Sequence, residues 1–277
     1  MPTDPALPEL RVLPDPEAVA EAAASEIAEG LRSAIAERGV AHWSTTGGSA
    51  APPIYRRLGT SPLRERVDWS KVHVWWGDDR FVPPDHPESN VMPLEQILLV
   101  TGGDEATSGT QNADAYGHGF GVVLHADQLH PTPVSVAIAH GSGTEGAAAS
   151  YAAELETHVP RGADGVPVFD VYLVGVGPDG HLLSVFPGSE VWDRPELVVG
   201  VPAPTHVEPH LPRVTMHPRV MAAARRVLLV TSGAAKAGML AQAWTGDDVL
   251  ELPIRAARVP NATWLVDEAA AAELPRD

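Results

Sequence analysis

Two residues with chemistry in them, Asp179 and His181, are separated by a single glycine inside residues 169–190, FDVYLVGVGPDGHLLSVFPGSE. An imidazole that changes protonation near neutral pH, set beside a carboxylate, is a proton-transfer pair. The run FDVYLV before it reads as a buried strand, and the glycines leave no room for regular structure between strand and pair. The pair is therefore delivered at a strand end. Asp78, Asp79 and Arg80 follow another apolar run, VHVWW. Charged groups directly after a buried strand sit where α/β sheets place ligands. Arg80 either orients a substrate or a carboxylate there, or it joins the two aspartates in a local ion pair and helix cap.

Thr46-Gly47-Gly48-Ser49 lies between a strand and a helix start. Backbone N–H groups and the positive helix end point at an anion in that geometry, and an ordinary turn needs the same glycines for its φ angles. Lys236 falls in the first turn of a helix after Ser232-Gly233. A cation there opposes the helix dipole, a conflict that a bound anion removes or a side chain turned to solvent avoids. His118, His125, His130 and His140 raise the question of a metal, but their spacing matches no ligand pattern. They read as loop histidines and no metal is expected.

The elements that must position these groups follow from periodicity. After Pro14-Asp15-Pro16, a helix-start signal, apolar residues recur every fourth position from Val19 to Ile35, which predicts a helix ending at Arg38. Residues 40–45, 72–76, 169–174, 197–201, 226–231 and 264–266 read as strands. Helices are expected through residue 58 and over 90–100, 143–159, 218–224, 234–243 and 267–274. Residues 101–121, rich in Gly, Asn, Ser and Asp, read as a surface insertion. Strands alternating with helices predict an α/β fold: a doubly wound, mainly parallel, Rossmann-like sheet flanked by helices. No break in composition divides residues 1–277, so a single domain is expected.

With 277 residues and 44% hydrophobic content the chain can bury a large core. The absence of cysteine excludes disulfides, thiolate metal sites and a cysteine nucleophile. The 27 prolines and 25 glycines punctuate periodic segments and form no low-complexity tract. The net charge of -17, from 19 basic and 36 acidic residues, argues against nucleic acid or an anionic membrane as partner. A phosphorylated substrate then needs a local basic pocket within about one Debye length, ~8 Å in physiological salt. No basic-then-apolar leader and no run of 18 apolar residues is present, so a cytoplasmic protein is expected.

In this order the motifs resemble the 6-phosphogluconolactonase family, within the larger group that includes glucosamine-6-phosphate isomerase/deaminase. The resemblance runs from about Leu10 to the C-terminal helix. Thr46-Gly47-Gly48-Ser49 is similar to the family's SGGSTP loop, and Asp78 to Pro83 with His86, Ser89 and Asn90 to its DERxVPxxHxxSN block. Residues 175–188 are similar to GxGPDGHxxSLFPG, Arg213 to the late arginine and residues 232–237 to TGxxKA.

The resemblance implies hydrolysis of 6-phospho-D-glucono-1,5-lactone to 6-phosphogluconate, in the oxidative pentose phosphate pathway, without cofactor or metal. His181 is implied as the general base that activates water, with Asp179 orienting it or stabilising its protonated form. Arg80 would position the lactone or stabilise charge on its oxygens, and Asp78 would hold Arg80. Lys236, Arg213 and the amides of Gly47, Gly48 and Ser49 would bind the 6-phosphate. The partner implied is that small sugar-phosphate lactone, bound by a monomer or small homo-oligomer.

Four departures bear on affinity. Ala50 and Ala51 replace a threonine, Glu208 replaces a lysine, Leu182 and Leu183 are bulkier than usual, and the insertion has no counterpart. Two alternatives stand beside this reading: an amino-sugar-phosphate isomerase/deaminase, and a non-catalytic sugar-phosphate binding protein. The first carries a glutamate in an FNEPG-like segment where this chain has Ser184-Val185-Phe186-Pro187-Gly188.

Overall fold

A computed structural model describes residues 7–99 and 121–275. The expected insertion, apart from Gly121, lies outside them. Seven parallel strands form the central sheet: β1 (Glu9–Leu13), β2 (Ala41–Thr45), β3 (Val72–Trp76), β5 (Leu129–His130), β6 (Val171–Gly175), β9 (Val227–Thr231) and β10 (Ala262–Asp267). Their spatial order is β1-β10-β9-β6-β2-β3-β5. From β2 the chain moves outward through β3 and β5, then crosses to the other side of β2 for β6, β9 and β10. The direction of winding reverses between β2 and β6, which opens a crevice at their carboxyl ends.

Side-chain alternation along the strands explains why both faces are covered. In β6, Val171 and Leu173 point into one buried cluster and Tyr172 and Val174 into the other. β9 does the same with Leu228 and Val230 against Val227 and Leu229. The first face receives α1 (Pro16–Arg38), α2 (Ala51–Leu58) and α3 (Val91–Ile97). Against the second pack α4 (Val134–His140), α5 (Gly143–His158), α6 (Pro218–Ala222) and α7 (Ala237–Thr245).

The start and stop of α1 follow its sequence: Asp15 accepts from the Ala18 amide at 2.8 Å, Pro16 opens the first turn, and Gly39 closes the helix at φ 80°. The fold class expected from the sequence is the one observed.

Three local expectations are corrected. Of the helix expected over 267–274, Asp267 ends β10 and residues 268–274 form turns and a bend, because the Asp267 carboxylate caps the Gly233 and Ala270 amides and the helical bond from Ala271 to Asp267 is not continued. The predicted helix over 234–243 begins as a 3-10 turn, Ala234–Lys236, and becomes α-helical only at Ala237. Of the expected loop histidines, His130 is a buried member of β5, its ring stacked on Trp75 at 3.8 Å, His140 ends α4, and His118 lies outside the described residues.

A second, antiparallel sheet was not legible in the sequence: β4 (Asp78–Arg80), β8 (Arg213–Met216) and β7 (Val198–Val201), in that order. Its register sets Arg80 directly opposite Arg213 and Asp78 opposite Thr215. Two arginines 133 positions apart in sequence are thereby placed side by side at the crevice.

Candidate active site

Four adjacent strands, β9, β6, β2 and β3, deliver their following loops to one end of the sheet. A cavity of about 470 Å³ opens there, of a size for a small ligand. Gly47, Gly48, Ser49, Asp78, Arg80, His181, Arg213 and Lys236 all line it. Asp179 stands behind His181.

The loop after β6 is folded around the imidazole. Gly177 N–H donates to the His181 carbonyl at 2.8 Å, and a Cβ on Gly177 would lie 2.0 Å from the ring, so only glycine leaves the ring its place. Gly180 adopts φ +79° to turn the chain back. His181 Nδ1 pairs with Asp179 Oδ1 at 2.5 Å, which assigns the hydrogen to Nδ1 and leaves the Nε2 lone pair free as a base. Burial pushes the Asp179 carboxyl up, but hydrogen bonds and charge from His181, joined by His206, outweigh it and hold the group well below the usual carboxylate range. The carboxylate therefore remains ionised beside the imidazole.

Leu182 is wholly buried in the core beneath this loop, and Leu183, at φ 54°, packs over Gly77. Their bulk belongs to the packing that fixes the loop.

Arg80 is oriented differently from the expectation. Its guanidinium donates from NH1 to the Glu88 carbonyl at 2.7 Å and to Asn90 Oδ1 at 2.9 Å. Asp78 does not hold it: the Asp78 carboxylate accepts from Ser184 Oγ at 2.6 Å, and no Asp78–Arg80 ion pair forms among the described residues. The two are neighbours on β4 whose side chains take separate partners. Asp79 serves the backbone around them, accepting from the amides of Arg80 and Asn90 and from Ser89 Oγ. Burial nevertheless pushes its carboxyl up to about 7.

Arg213 is buried, donates to the Pro209 carbonyl at 3.1 Å and lies over the Phe186 ring at 5.4 Å. Lys236, half-buried, donates to the Val176 carbonyl at 2.9 Å. Burial lowers the pKa of both, and Asp78 for the arginine and Asp179 for the lysine oppose the shift. Among the described residues, Arg80, Arg213 and Lys236 form no ion pair.

The glycine loop adds donors. The amides of Gly47, Gly48 and Ser49 bond to no acceptor among the described residues, and Ala50 begins α2 without a side-chain cap. Gly48 needs its φ of +72°, and a Cβ on Gly47 would meet Asn90 Oδ1 at 1.8 Å. Glu208 lines the same cavity, but its side chain is 80% exposed and meets His210 at 3.1 Å, so its charge sits at the rim.

Sequence reasoning named Asn90, Ser184 and Phe186 only as motif members, without a role, and did not name His206 at all. A serine and an asparagine together at a helix start signalled Asn90. Ser184 and Phe186 lie within the stretch already singled out, but their partners, Asp78 and Arg213, come from remote segments.

Cations left without counter-ions in so acidic a chain, gathered at strand ends around a proton-transfer pair, make this an α/β enzyme of small anionic molecules. The chain belongs to the family of glucosamine-6-phosphate isomerases/6-phosphogluconolactonase, whose model matches residues 14–266. It is similar to the 6-phosphogluconolactonase of Streptomyces coelicolor, 38% identical over 274 residues, 97% of this chain and 95% of that protein. The 6-phosphogluconolactonase of Mycobacterium tuberculosis is 32% identical over 268 residues, 96% of this chain and 98% of that protein. Among solved structures, that of 6-phosphogluconolactonase from Trypanosoma brucei superposes with a TM-score of 0.76 at 25% identity, covering 97% of this chain and 99% of that one.

Proposed function

We propose that this chain is a 6-phosphogluconolactonase, a hydrolase that opens 6-phospho-D-glucono-1,5-lactone to 6-phosphogluconate. The observation that carries the reading is the convergence of three cations without an ion pair among the described residues, Arg80, Arg213 and Lys236, on the cavity lined by His181 of the His181–Asp179 pair. Lys236, Arg213 and the free amides of Gly47, Gly48 and Ser49 receive the 6-phosphate. Neutral His181 takes a proton from water through Nε2 as the water oxygen bonds to the lactone carbonyl carbon. Asp179 stabilises the imidazolium, and Arg80 stabilises the negative charge on the carbonyl oxygen. The intermediate then expels the ring oxygen, which receives the proton from His181, giving the open-chain acid. The scheme uses no cofactor and no metal.

The isomerase/deaminase alternative is disfavoured by the stretch after the histidine, where Ser184 is bonded to Asp78, Val185 is buried, and no carboxylate precedes Pro187. No helix among the described residues is long and apolar enough to cross a membrane. We take the protein to be cytoplasmic, a monomer or small homo-oligomer, with residues 1–277 as one domain.

The lactone also hydrolyses spontaneously, so the test is a coupled assay on freshly generated lactone with the uncatalysed rate subtracted. His181→Ala is expected to lower kcat by ~10²- to 10⁴-fold, the usual loss for a general base. Unchanged turnover would remove His181 from that role, and ammonia release from glucosamine 6-phosphate without lactone hydrolysis would replace the reaction.

A further inference from the structure

The Asp179 carboxylate has two occupants, one on each oxygen. Oδ1 meets His181 Nδ1 at 2.5 Å, and Oδ2 meets Nε2 of His206 at 3.0 Å. His206 comes from the proline-rich segment after β7 and is 27 positions from Asp179. Phe186 stands against both imidazoles, its ring centroid 4.7 Å from that of His181 and, edge to face, 5.6 Å from that of His206.

The segment is tied down by bonds on both sides of His206 in sequence. His210 Nδ1 donates to the Pro204 carbonyl at 2.7 Å, and Arg213 reaches back to the Pro209 carbonyl. His206 is therefore held against the carboxylate while its ring remains half-exposed to solvent.

We propose that His206 is a positioning residue for the hydrolysis: by donating to Oδ2 of Asp179 it fixes that carboxylate and moderates its pull on the His181 proton. The inference rests on the reading of His181 as general base. A carboxylate that accepts from two imidazoles divides its negative charge between them, so its stabilisation of either imidazolium is weaker than with one partner. His181 then stays neutral, and competent as a base, to lower pH.

The other charged groups around the pair are few. Lys236 acts on Asp179 from the start of α7, Glu208 and His210 lie on the segment that carries His206, and Glu190 and Arg194 line, with Phe186 and His206, a separate groove on the outer side. None of them bonds to either oxygen of Asp179.

The test is the pH profile of kcat/KM in His206→Ala and His206→Gln. Removal of the imidazole is expected to shift the acid limb upward by roughly 0.5 to 1 pH unit, because Asp179 then acts on His181 alone. It should also lower plateau kcat several-fold with little change in KM. Glutamine, whose amide nitrogen reaches Oδ2, should restore most of the plateau kcat. An acid limb in His206→Ala that coincides with that of the unmutated enzyme overturns the proposal.

NMR titration of the His181 ring in the same variants reads the shift without reference to turnover. A shifted ring titration supports the coupling through Asp179, and an unshifted one overturns it. Failure of the base assignment has a separate signature, unchanged turnover in His181→Ala.

Discussion

Lys236 donates to a carbonyl and not to a carboxylate, so within the described residues its charge has no counter-ion, and burial already lowers its pKa. Such a group gains most from an anion in the cavity and little from contacts it already has. Lys236→Ala is expected to raise KM by roughly 10- to 100-fold, as for loss of a charged hydrogen bond, with a smaller effect on kcat. A normal KM would take Lys236 out of the phosphate site. The contrast with His181 is one of timing. Lys236 binds a group that does not react, whereas His181 changes charge during the reaction.

At the scale of elements, the loop after β6 depends on glycine for two separate reasons. Gly177 is glycine because the His181 ring occupies its side-chain space, and Gly188 because its φ is +71°, with nothing within 4 Å of an added Cβ. Gly177→Ala is therefore expected to displace the ring and lower kcat, with an overpacking cost of about 1–3 kcal/mol. Gly188→Ala should cost about 1–2 kcal/mol of backbone strain and leave kcat nearly unchanged. Comparing kcat and the denaturant midpoint in the two variants separates the reasons, and equal kcat losses would refute the distinction.

A different device lies nearer the start of the strands. His42 on β2 and His73 on β3 are cross-strand partners with rings 5.3 Å apart, and His73 Nδ1 meets His130 Nε2 at 2.9 Å. Burial, then repulsion from neighbouring imidazoles, lowers His42 to about 4 and His130 to about 3, and burial lowers His73 as well. Groups whose folded pKa is depressed are neutral in the fold, and the unfolded chain takes up protons once pH falls below about 6.5. Their stabilising effect is full above that pH and is lost as pH drops toward 4 and then 3, a change on the order of a few kcal/mol. Denaturant midpoints should fall steadily from pH 7 to pH 5, and His130→Phe, which keeps a ring on Trp75, should flatten the slope. An identical slope in that variant would exclude His130 as its source.

For the molecule as a whole, a net charge of -17 repels an anionic substrate at long range, while the three cations act at the bottom of a partly buried cavity. Salt screens the exposed charges more strongly than the buried ones. Raising ionic strength from about 0.01 to 0.15 M should therefore increase kcat/KM for the phosphorylated lactone, by roughly twofold or more. A steady decrease would show that pocket attraction dominates even the approach. The fold shares the work between its two sheets: the parallel one supplies loops from four neighbouring strands, and the antiparallel one sets Arg80 beside Arg213.

The sequence by itself determined strands β2, β3, β6, β7, β9 and β10 and most helices, because their periodicity records which faces are buried; β4 and β5, three and two residues long, are too short to carry a period. It also determined the proton-transfer pair, since Asp179 and His181 are close enough along the chain for local geometry to bring them together. Eight of the residues singled out do meet at one cavity, but neither their convergence nor their partners could be read from spacing. Arg80 reaches Asn90 and not Asp78, Ser184 takes Asp78, and His206 takes the second oxygen of Asp179. The registration of β4 against β8 is equally remote in the chain. Only the tertiary structure decided these pairings, because directional bonds between distant segments depend on how the strands are ordered, and strand order leaves no local pattern in sequence.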